Sequence, residues 1–562
     1  MKYANWNVPE RGAEIPRALL AAGCTPLLAA ILHLRGLSDP AAARSFLRGG
    51  AETLTNPLEL TGMVDAVQRL TRAVATGEHV AVYGDYDVDG ITAACLLTDY
   101  LRFRGLTCEL KIPDRIRDGY GLNTAAIDTL VEKGVTLIVT VDCGVTNLEE
   151  TAYAAQRGVD MIVTDHHECR AALPEAEAVV DPKQPDSSGV GTALAGVGVA
   201  FKLVCAMDGD ADKMLARYGD LVAVGTVADV MPLLGENRFI TRCGLQKIAA
   251  GDCRPGFLAL AEEAGVRDKP FTASTVGFSL APRINAAGRL GEPSLAVRLL
   301  EETDLRRARV LAAELCAKNR ERQALETQIW RDAVERLHGE QPDAPIVLAS
   351  EGWHPGVIGI VASRLTDAYS VPAVMICLDG ESGKGSCRST GSFNLFEALS
   401  ACSDCLEGFG GHAMAAGVTV RRGCVDELRS RLREYYLSHP DRTLPALEAD
   451  LLVDSPELLT MACVESLDEL EPCGNGNPRP LLYMENVSLD SVQPIGGGKH
   501  LRLKLAKFGQ AYDGVFFSQT APALGARAGQ RCDIVFAPQI NEFHGRRSVQ
   551  LVITDLRRSK EG

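Results

Sequence analysis

The sequence predicts a multidomain α/β chain that ends in a small β-barrel, and three observations carry that expectation. Between about residues 61 and 250, runs rich in β-branched residues (His79–Tyr83, Thr136–Val141, Asp160–Thr164) alternate with helical patterns, as in an open parallel sheet. From Asp304 to His338 the chain is charged, helix-favouring and free of Gly and Pro, which predicts one long helix rather than a flexible linker. After Leu444 the pattern changes to short alternating strands and Gly turns, as in Gly496–Leu505, Cys532–Phe536 and Ser548–Ile553.

A chain of 562 residues is too long for one core, and five segments are legible in it. Residues 1–60 read as a helical lead-in (Ile15–Leu20, Leu27–Leu32), and residues 61–303 as the first α/β domain. Residues 304–340 form the connecting helix, with apolar positions such as Leu311, Leu315, Leu325 and Ile329. A second α/β unit, residues 341–443, opens with the strand Ile346–Ser350, and residues 444–562 form the barrel. The 46% hydrophobic and 23% charged content is that of a globular protein. No stretch approaches the roughly 20 apolar residues of a membrane span, and Met1–Trp6 has no signal-peptide core. Seventeen cysteines without framework spacing read as reduced thiols, which predicts a cytoplasmic protein. The net charge of −15 argues against an all-over basic surface but leaves a local nucleic-acid site open.

Three acidic strings directly follow the three β-branched runs: Asp85-Tyr-Asp87-Val-Asp89-Gly90, Asp142-Cys-Gly144 and Asp165-His166-His167. Residues just past the carboxyl ends of neighbouring parallel strands converge on one crevice. Five carboxylates and two imidazoles so gathered repel strongly unless cations sit among them, which points to a two-metal hydrolytic site. An EF-hand loop is excluded, because its twelfth position would be Leu96 and a strand precedes Asp85. A single Asp would suffice to cap the next helix; three at alternate positions need a stronger cause. Of the paired histidines, one imidazole can bind metal while the other faces substrate, with Asp165 fixing a ring tautomer. Asp229 adds a carboxylate near the end of the apolar segment Leu221–Pro232. Cys402-x-x-Cys405 lacks a second pair at finger spacing and reads as buried structural thiols.

With these four segments in view, the chain resembles the DHH phosphoesterase superfamily, and within it the bacterial exonucleases specific for single strands. The resemblance covers nearly the whole chain. It extends through Ala281-Pro-Arg283-Ile-Asn285-Ala-Ala-Gly288-Arg289, Gly352-Trp-His354-Pro-Gly-Val-Ile-Gly359, Cys387-Arg388-Ser389, Gly410-Gly-His412-Ala413, Pro472–Pro478 and Lys499-His500-Leu501. It implies a DHH-type catalytic domain, a DHHA1-type substrate domain and an OB-fold barrel. It also implies two divalent cations, Mn²⁺ or Mg²⁺, held by Asp85, Asp87, Asp89, Asp142, His166 and Asp229, with Asp142 bridging. Tyr83 stands where many superfamily members carry a His. Arg283 and Arg289 read as phosphate clamps among apolar residues. Asn285 belongs with them by resemblance, and Arg388, Ser389 and His412 would hold a terminal 5′ phosphate beside glycines that let backbone amides approach an anion. Lys499, His500, Arg502 and Lys504 lie in a stretch without acidic residues, Ser491–Tyr512, and would grip single-stranded DNA.

Two cations a few ångströms apart lower the pKa of a water and stabilise the attacking and leaving oxygens at phosphorus. His167, oriented by Asp165, is placed to donate to a non-bridging oxygen, so His167, Asp165 and Asp142 are the candidate catalytic residues. The resemblance implies a monomeric 5′→3′ exonuclease of recombination and repair that releases 5′-mononucleotides. A single-strand-binding protein and a RecQ-type helicase are the implied partners. Two alternatives remain at this level. A phosphodiesterase of short oligoribonucleotides or cyclic dinucleotides would share the metal motifs but lack the barrel. A non-catalytic replication-fork scaffold would have lost metal carboxylates that this chain keeps.

Overall fold

The computed structural model describes residues 3, 5–9, 14–115, 117–119, 121–440, 443, 446–543 and 545–559. The chain divides into two compact units, one comprising Gly50–Arg442 with Pro472–Gly476, the other Met1–Gly49, Thr443–Glu471 and Asn477–Gly562.

The first unit opens with five parallel strands, β1 (His79–Gly84), β2 (Thr107–Lys111), β3 (Leu137–Val141), β4 (Asp160–Thr164) and β5 (Ala178–Val180), in the order β2-β1-β3-β4-β5. Val82 faces Val139 and Val139 faces Ile162 across the sheet. All of β3 is buried, because a parallel sheet covered on both faces needs continuous apolar strands rather than alternation. Val80, Val82 and Val139 pack on the side of helices α1 (Val88–Phe103), α2 (Gly196–Asp208) and α3 (Ala211–Ala228). Ala81, Tyr83 and Ile138 pack on the opposite side with Ile127 and Ala154. The chain leaves β1 for β2 on one flank and returns for β3 on the other, so a switch point lies between β1 and β3. Open α/β sheets present their ligand crevice there, at the carboxyl ends of the strands.

Helix α4 (Ala281–Arg289) has Pro282 in its first turn, where no intrahelical donor is lost, and follows a π-helical stretch at Val276–Leu280. The predicted long helix is α5 (Leu305–Arg336), 32 residues, with Asp304 capping it by accepting from Arg307 N at 2.9 Å. A second sheet follows: β6 (Ile346–Ser350), β7 (Ala373–Asp379), β8 (Ser382–Arg388), β9 (Gly408–Gly411) and β10 (Ala415–Arg421), in the order β9-β10-β8-β7-β6. Only β6 and β7 run parallel in it.

The second unit holds the predicted barrel, built from β11 (Leu482–Ile495), β12 (His500–Lys507), β13 (Gln510–Phe516), β14 (Arg531–Phe543) and β15 (Arg546–Arg558). The order β11-β12-β13-β15-β14 closes through β11–β14 pairing, which removes the free edges of the sheet. Along β12 Leu501, Leu503 and Leu505 are buried while Arg502 and Lys504 are exposed, the alternation read in the sequence. The strand Asn5–Asn7 pairs in parallel with Ala446–Glu448. Trp6 Nε1 donates to Asp555 Oδ2 at 3.0 Å, and the Arg557 guanidinium lies 4.2 Å from the Trp6 ring centre. Residues 1–49 of the lead-in thus belong with the barrel.

All seventeen cysteines are free thiols. Cys402 and Cys405 are buried, the second donating to Cys402 O at 3.0 Å. Among the described residues no helix is long and apolar enough to cross a membrane.

Candidate metal centre and substrate cavity

Each predicted ligand leaves the end of a regular element. Asp85 follows β1, and Asp87 caps α1 by accepting from Gly90 N at 3.0 Å, so the capping role weighed for this motif is real for one of its three carboxylates. Asp89, in the first turn of α1, accepts from Gly196 N (2.6 Å) and Val197 N (2.9 Å) at the start of α2, where a helix favours an anion. Asp142 follows β3 with φ 59°, a left-handed conformation uncommon for a residue with a side chain. A Cβ at Gly196 would lie 2.4 Å from Asp142 Cβ, so only glycine lets α2 start this close to the carboxylate. Asp229 is the C-cap of α3 and precedes Val230, which at φ 58° is a strained position for a β-branched residue.

These elements bring the predicted ligands together in three groups whose donor atoms lie within 4.8 Å of one another. The groups are Asp85 with Asp87 and Asp142; Asp89 with His166 and Asp229; and Asp142 with His166 and His167. His166 Nε2 lies 3.1 Å from Asp142 Oδ1, 3.6 Å from Asp229 Oδ2 and 3.8 Å from Asp89 Oδ2, without hydrogen-bond alignment to any of them. Burial pushes the Asp85, Asp89 and Asp142 carboxyls well above the usual range. Neighbouring charge pushes further: Asp87 acts on Asp85, Asp229 on Asp89, and Asp89 on Asp142. Burial, then Asp87, raises Asp229 to about 7. Burial, then His167, lowers His166 to about 4, leaving its imidazole neutral and able to offer a lone pair.

Divalent cations fit this arrangement. Asp85 Oδ1 and the His166 ring nitrogens are buried without hydrogen-bond partners, and the donors are carboxylates and imidazoles with no thiolate, a set that suits Mn²⁺ or Mg²⁺. Asp165 stands apart from the three groups. Its Oδ1 accepts from His166 N (2.8 Å) and lies 2.7 Å from His167 Nδ1, and its Oδ2 accepts from Val145 N (3.0 Å). Tyr83 is fully buried on the far side of β1, its hydroxyl donating to Gly121 O at 3.0 Å, so it supplies no donor to the cluster.

Within the same unit a cavity of about 1140 Å³ runs from Tyr86, Asp87 and His167 to Lys384, Arg388 and Gly410. Of the predicted substrate residues only Arg388 lines it; its Nη1 donates to Ser386 Oγ (3.2 Å) and Cys387 O (2.8 Å). Arg289 is half-buried nearby, its guanidinium pulled down to about 10 by desolvation and then by Arg115, Arg322 and Arg388. Arg115, which lines the cavity 4.9 Å from the Tyr86 ring centre, is not singled out by the sequence, where it stands beside Arg117 between Asp114 and Asp118. Arg115, Arg289 and Arg388 form no ion pair among the described residues, and so much uncompensated positive charge calls for an anion.

The remaining predicted substrate residues are placed differently. Arg283 turns back to donate to Ser279 O, Asn285 Oδ1 accepts from Val88 N (3.2 Å), and Ser389 Oγ donates to Phe393 O (2.7 Å). His412 is exposed in the turn between β9 and β10. These four do not line the cavity. In the second unit Lys499 and Arg502 are exposed, Lys504 Nζ pairs with Asp513 Oδ1 at 2.7 Å, and His500 Nδ1 accepts from Ser518 N at 2.9 Å.

Known proteins share the domain order of this chain. Residues 79–226 match the DHH family N-terminal domain, residues 343–437 the DHHA1 domain, and residues 450–555 the RecJ OB domain. The single-stranded-DNA-specific exonuclease RecJ of Bacillus subtilis (strain 168) is 40% identical over 94% of this chain and 68% of its own length. That of Dickeya dadantii (strain 3937) is 36% identical over 98% of each chain. The crystal structure of Thermus thermophilus RecJ in complex with Mn²⁺ superposes with a TM-score of 0.84 at 31% identity, covering 99% of this chain and 80% of that one. The Mg²⁺ complex from the same organism gives 0.79 at 30% identity, covering 99% and 79%. The chain belongs to the RecJ family of DHH phosphoesterases.

Proposed function

We propose that the chain is a metal-dependent exonuclease that degrades single-stranded DNA from its 5′ end, releasing 5′-mononucleotides by two-metal hydrolysis. The observation that carries this reading is that one cavity is lined by Asp87, His167 and Arg388 together. Asp85, Asp87, Asp89, Asp142, His166 and Asp229 would hold two divalent cations, Mn²⁺ or Mg²⁺, and Asp142, a member of two of the donor groups, would serve both. When bound, the cations neutralise charge on the phosphodiester and make an attacking water more acidic.

The chain's own residues do the rest. Asp165 holds Nδ1 of His167, leaving the other ring nitrogen to donate to a non-bridging phosphate oxygen. Arg388, with Arg115 and Arg289 adding positive charge, holds a terminal phosphate, so the bond presented to the cluster is counted from a free end. Lys499, His500, Arg502 and Lys504 grip the strand backbone from the barrel. We divide the work among a lead-in (1–60), catalytic domain (61–303), connecting helix (304–340), substrate domain (341–443) and barrel (444–562). The setting is recombination and repair in the cytoplasm, with a monomeric enzyme working beside a helicase and a single-strand-binding protein.

The test is release of nucleotides from labelled single strands in Mn²⁺, compared with RNA and duplex. Mononucleotides appearing first from the 5′ end of single-stranded DNA support the reading. Release from RNA alone would move the protein to oligoribonucleotide turnover, and tight binding without release would make it a scaffold.

A further inference from the structure

Three glycines in succession join the metal-site loop to the guanidinium of Arg388. A Cβ at Gly288 would lie 2.4 Å from the carbonyl oxygen of Tyr86, the residue between Asp85 and Asp87. A Cβ at Gly356 would lie 2.1 Å from the carbonyl oxygen of Arg289, the residue after Gly288. A Cβ at Gly359 would lie 2.7 Å from Ser386 Oγ and 3.3 Å from Arg388 Nη2. Neither Gly288 nor Gly356 has a positive φ, so it is the missing side chain, not a special backbone conformation, that each position requires. The first two contacts are backbone on backbone. A side chain can swing away from an added methyl group, whereas a carbonyl fixed in a helix or a metal-site loop moves only with its segment. Arg289 Nη1 donates to Gly356 O (3.2 Å) and Asn285 accepts from Val88 N (3.2 Å), tying the same segments together.

We propose that Gly288 and Gly356 are positioning residues that set the span from the metal cluster to Arg388, and thereby the length of the product. The inference rests on the exonuclease reading above. A terminal phosphate held at Arg388 places a bond at the cluster only if that span is fixed, and this stack of backbones is what fixes it. An added methyl at either glycine must push the segments apart by about 1 Å, a displacement that costs on the order of a hundredfold in rate when it misplaces reacting groups.

The experiment uses the full-length protein and single strands carrying a labelled 5′ phosphate. Gly356→Ala and Gly288→Ala are expected to lower kcat/KM about a hundredfold and to add dinucleotide to the first product. Titration with Mn²⁺ alone should give wild-type affinity. Gly352→Ala, in the same loop as Gly356 but with no atom within 4 Å of its would-be Cβ, should match wild type in every readout. A Gly356→Ala enzyme that releases only mononucleotides at the wild-type rate overturns the proposal, as does an equal shift in Gly352→Ala. A measurement on wild type alone covers the case of variants that do not fold. Inserting one three-carbon spacer between the 5′ phosphate and the first sugar should slow the first cut about a hundredfold if the span is fixed; an undiminished rate overturns it. Failure of wild type to release anything from an ordinary single strand would instead overturn the exonuclease reading, and this inference with it.

Discussion

Asp165 Oδ1 lies 2.7 Å from His167 Nδ1, and the same oxygen accepts the backbone N–H of His166 at 2.8 Å. One carboxylate outside the metal groups therefore orients the His167 imidazole and pins the backbone of His166. Burial works against protonation of His167, but the hydrogen bond and charge of Asp165 outweigh it and raise the imidazole to about 9. Asp165→Asn keeps the shape and removes the charge. It is expected to lower kcat about 10- to 100-fold with strand binding little changed. Steady-state kinetics beside fluorescence anisotropy would check this, and an undiminished kcat would remove His167 from the chemistry.

Asp142 combines membership of two ligand groups with a left-handed backbone. Asn tolerates that backbone better than Ala, so Asp142→Asn is the cleaner probe. Cleavage should be abolished while strand binding stays largely intact. Retained turnover would refute a bridging role.

The metal-free protein should lose stability as pH rises. Asp229 is raised to about 7 and the buried carboxyls beside it are raised too, so the fold prefers their protonated forms. Stability from such groups is fully present below about pH 4, the ordinary carboxyl value, and is lost as pH climbs through about 7. Chelator-treated protein is expected to show a melting temperature that falls by several degrees between about pH 5 and pH 8 relative to the Mn²⁺-loaded form. Parallel pH profiles in the two thermal-shift series would contradict it.

Arg388 lines the same cavity as Asp87 and His167. Arg388→Ala should reduce kcat/KM on 5′-phosphorylated strands by about 10- to 100-fold, the worth of hydrogen bonds to a charged group, and leave 5′-hydroxyl strands nearly unaffected. Equal losses on both substrates would mean that the residue does not read the end.

Arg502 and Lys504 share the exposed face of β12, but only Lys504 is engaged, by Asp513 on the adjacent strand. Arg502→Ala should therefore weaken binding of single strands more than Lys504→Ala does. It should also flatten the salt dependence by about 0.7 in log–log slope. The opposite ranking, measured by anisotropy across a salt series, would shift the binding face elsewhere.

Much of this was legible because parallel strands buried on both faces read as apolar runs, and ligand residues sit just past their ends. Asp85, Asp142 and His166 announce themselves in that way, and α5 does so by lacking any breaker over 32 residues. Asn285 and Ser389 were harder. Both look like substrate contacts in sequence, yet the fold uses them, Asn285 on the amide of Val88 almost two hundred positions away and Ser389 on the carbonyl of Phe393. Arg115 escaped for the opposite reason: beside Arg117 and between Asp114 and Asp118 it reads as ordinary surface charge, and only the fold brings it over Tyr86 and near Arg289. Tyr83 changes meaning with its neighbours, since strand alternation turns it into the core that Ile127 and Ile138 complete.

The pairing of Asn5–Asn7 with Ala446–Glu448, and of Trp6 with Asp555, has a consequence for how the chain is made. The unit that contains the barrel begins and ends the sequence, with Gly50–Arg442 inserted between its pieces. During synthesis from the N-terminus, the inserted unit can form its sheets and gather Asp85 through Asp229 while ribosomes are still translating the barrel. The helix Pro26–Leu34 must wait, with apolar side chains such as Leu27, Leu28 and Ile31 unburied, until Pro456–Ser466 emerges to pack on it. The nascent protein thus has its carboxylate cluster assembled well before the barrel is closed.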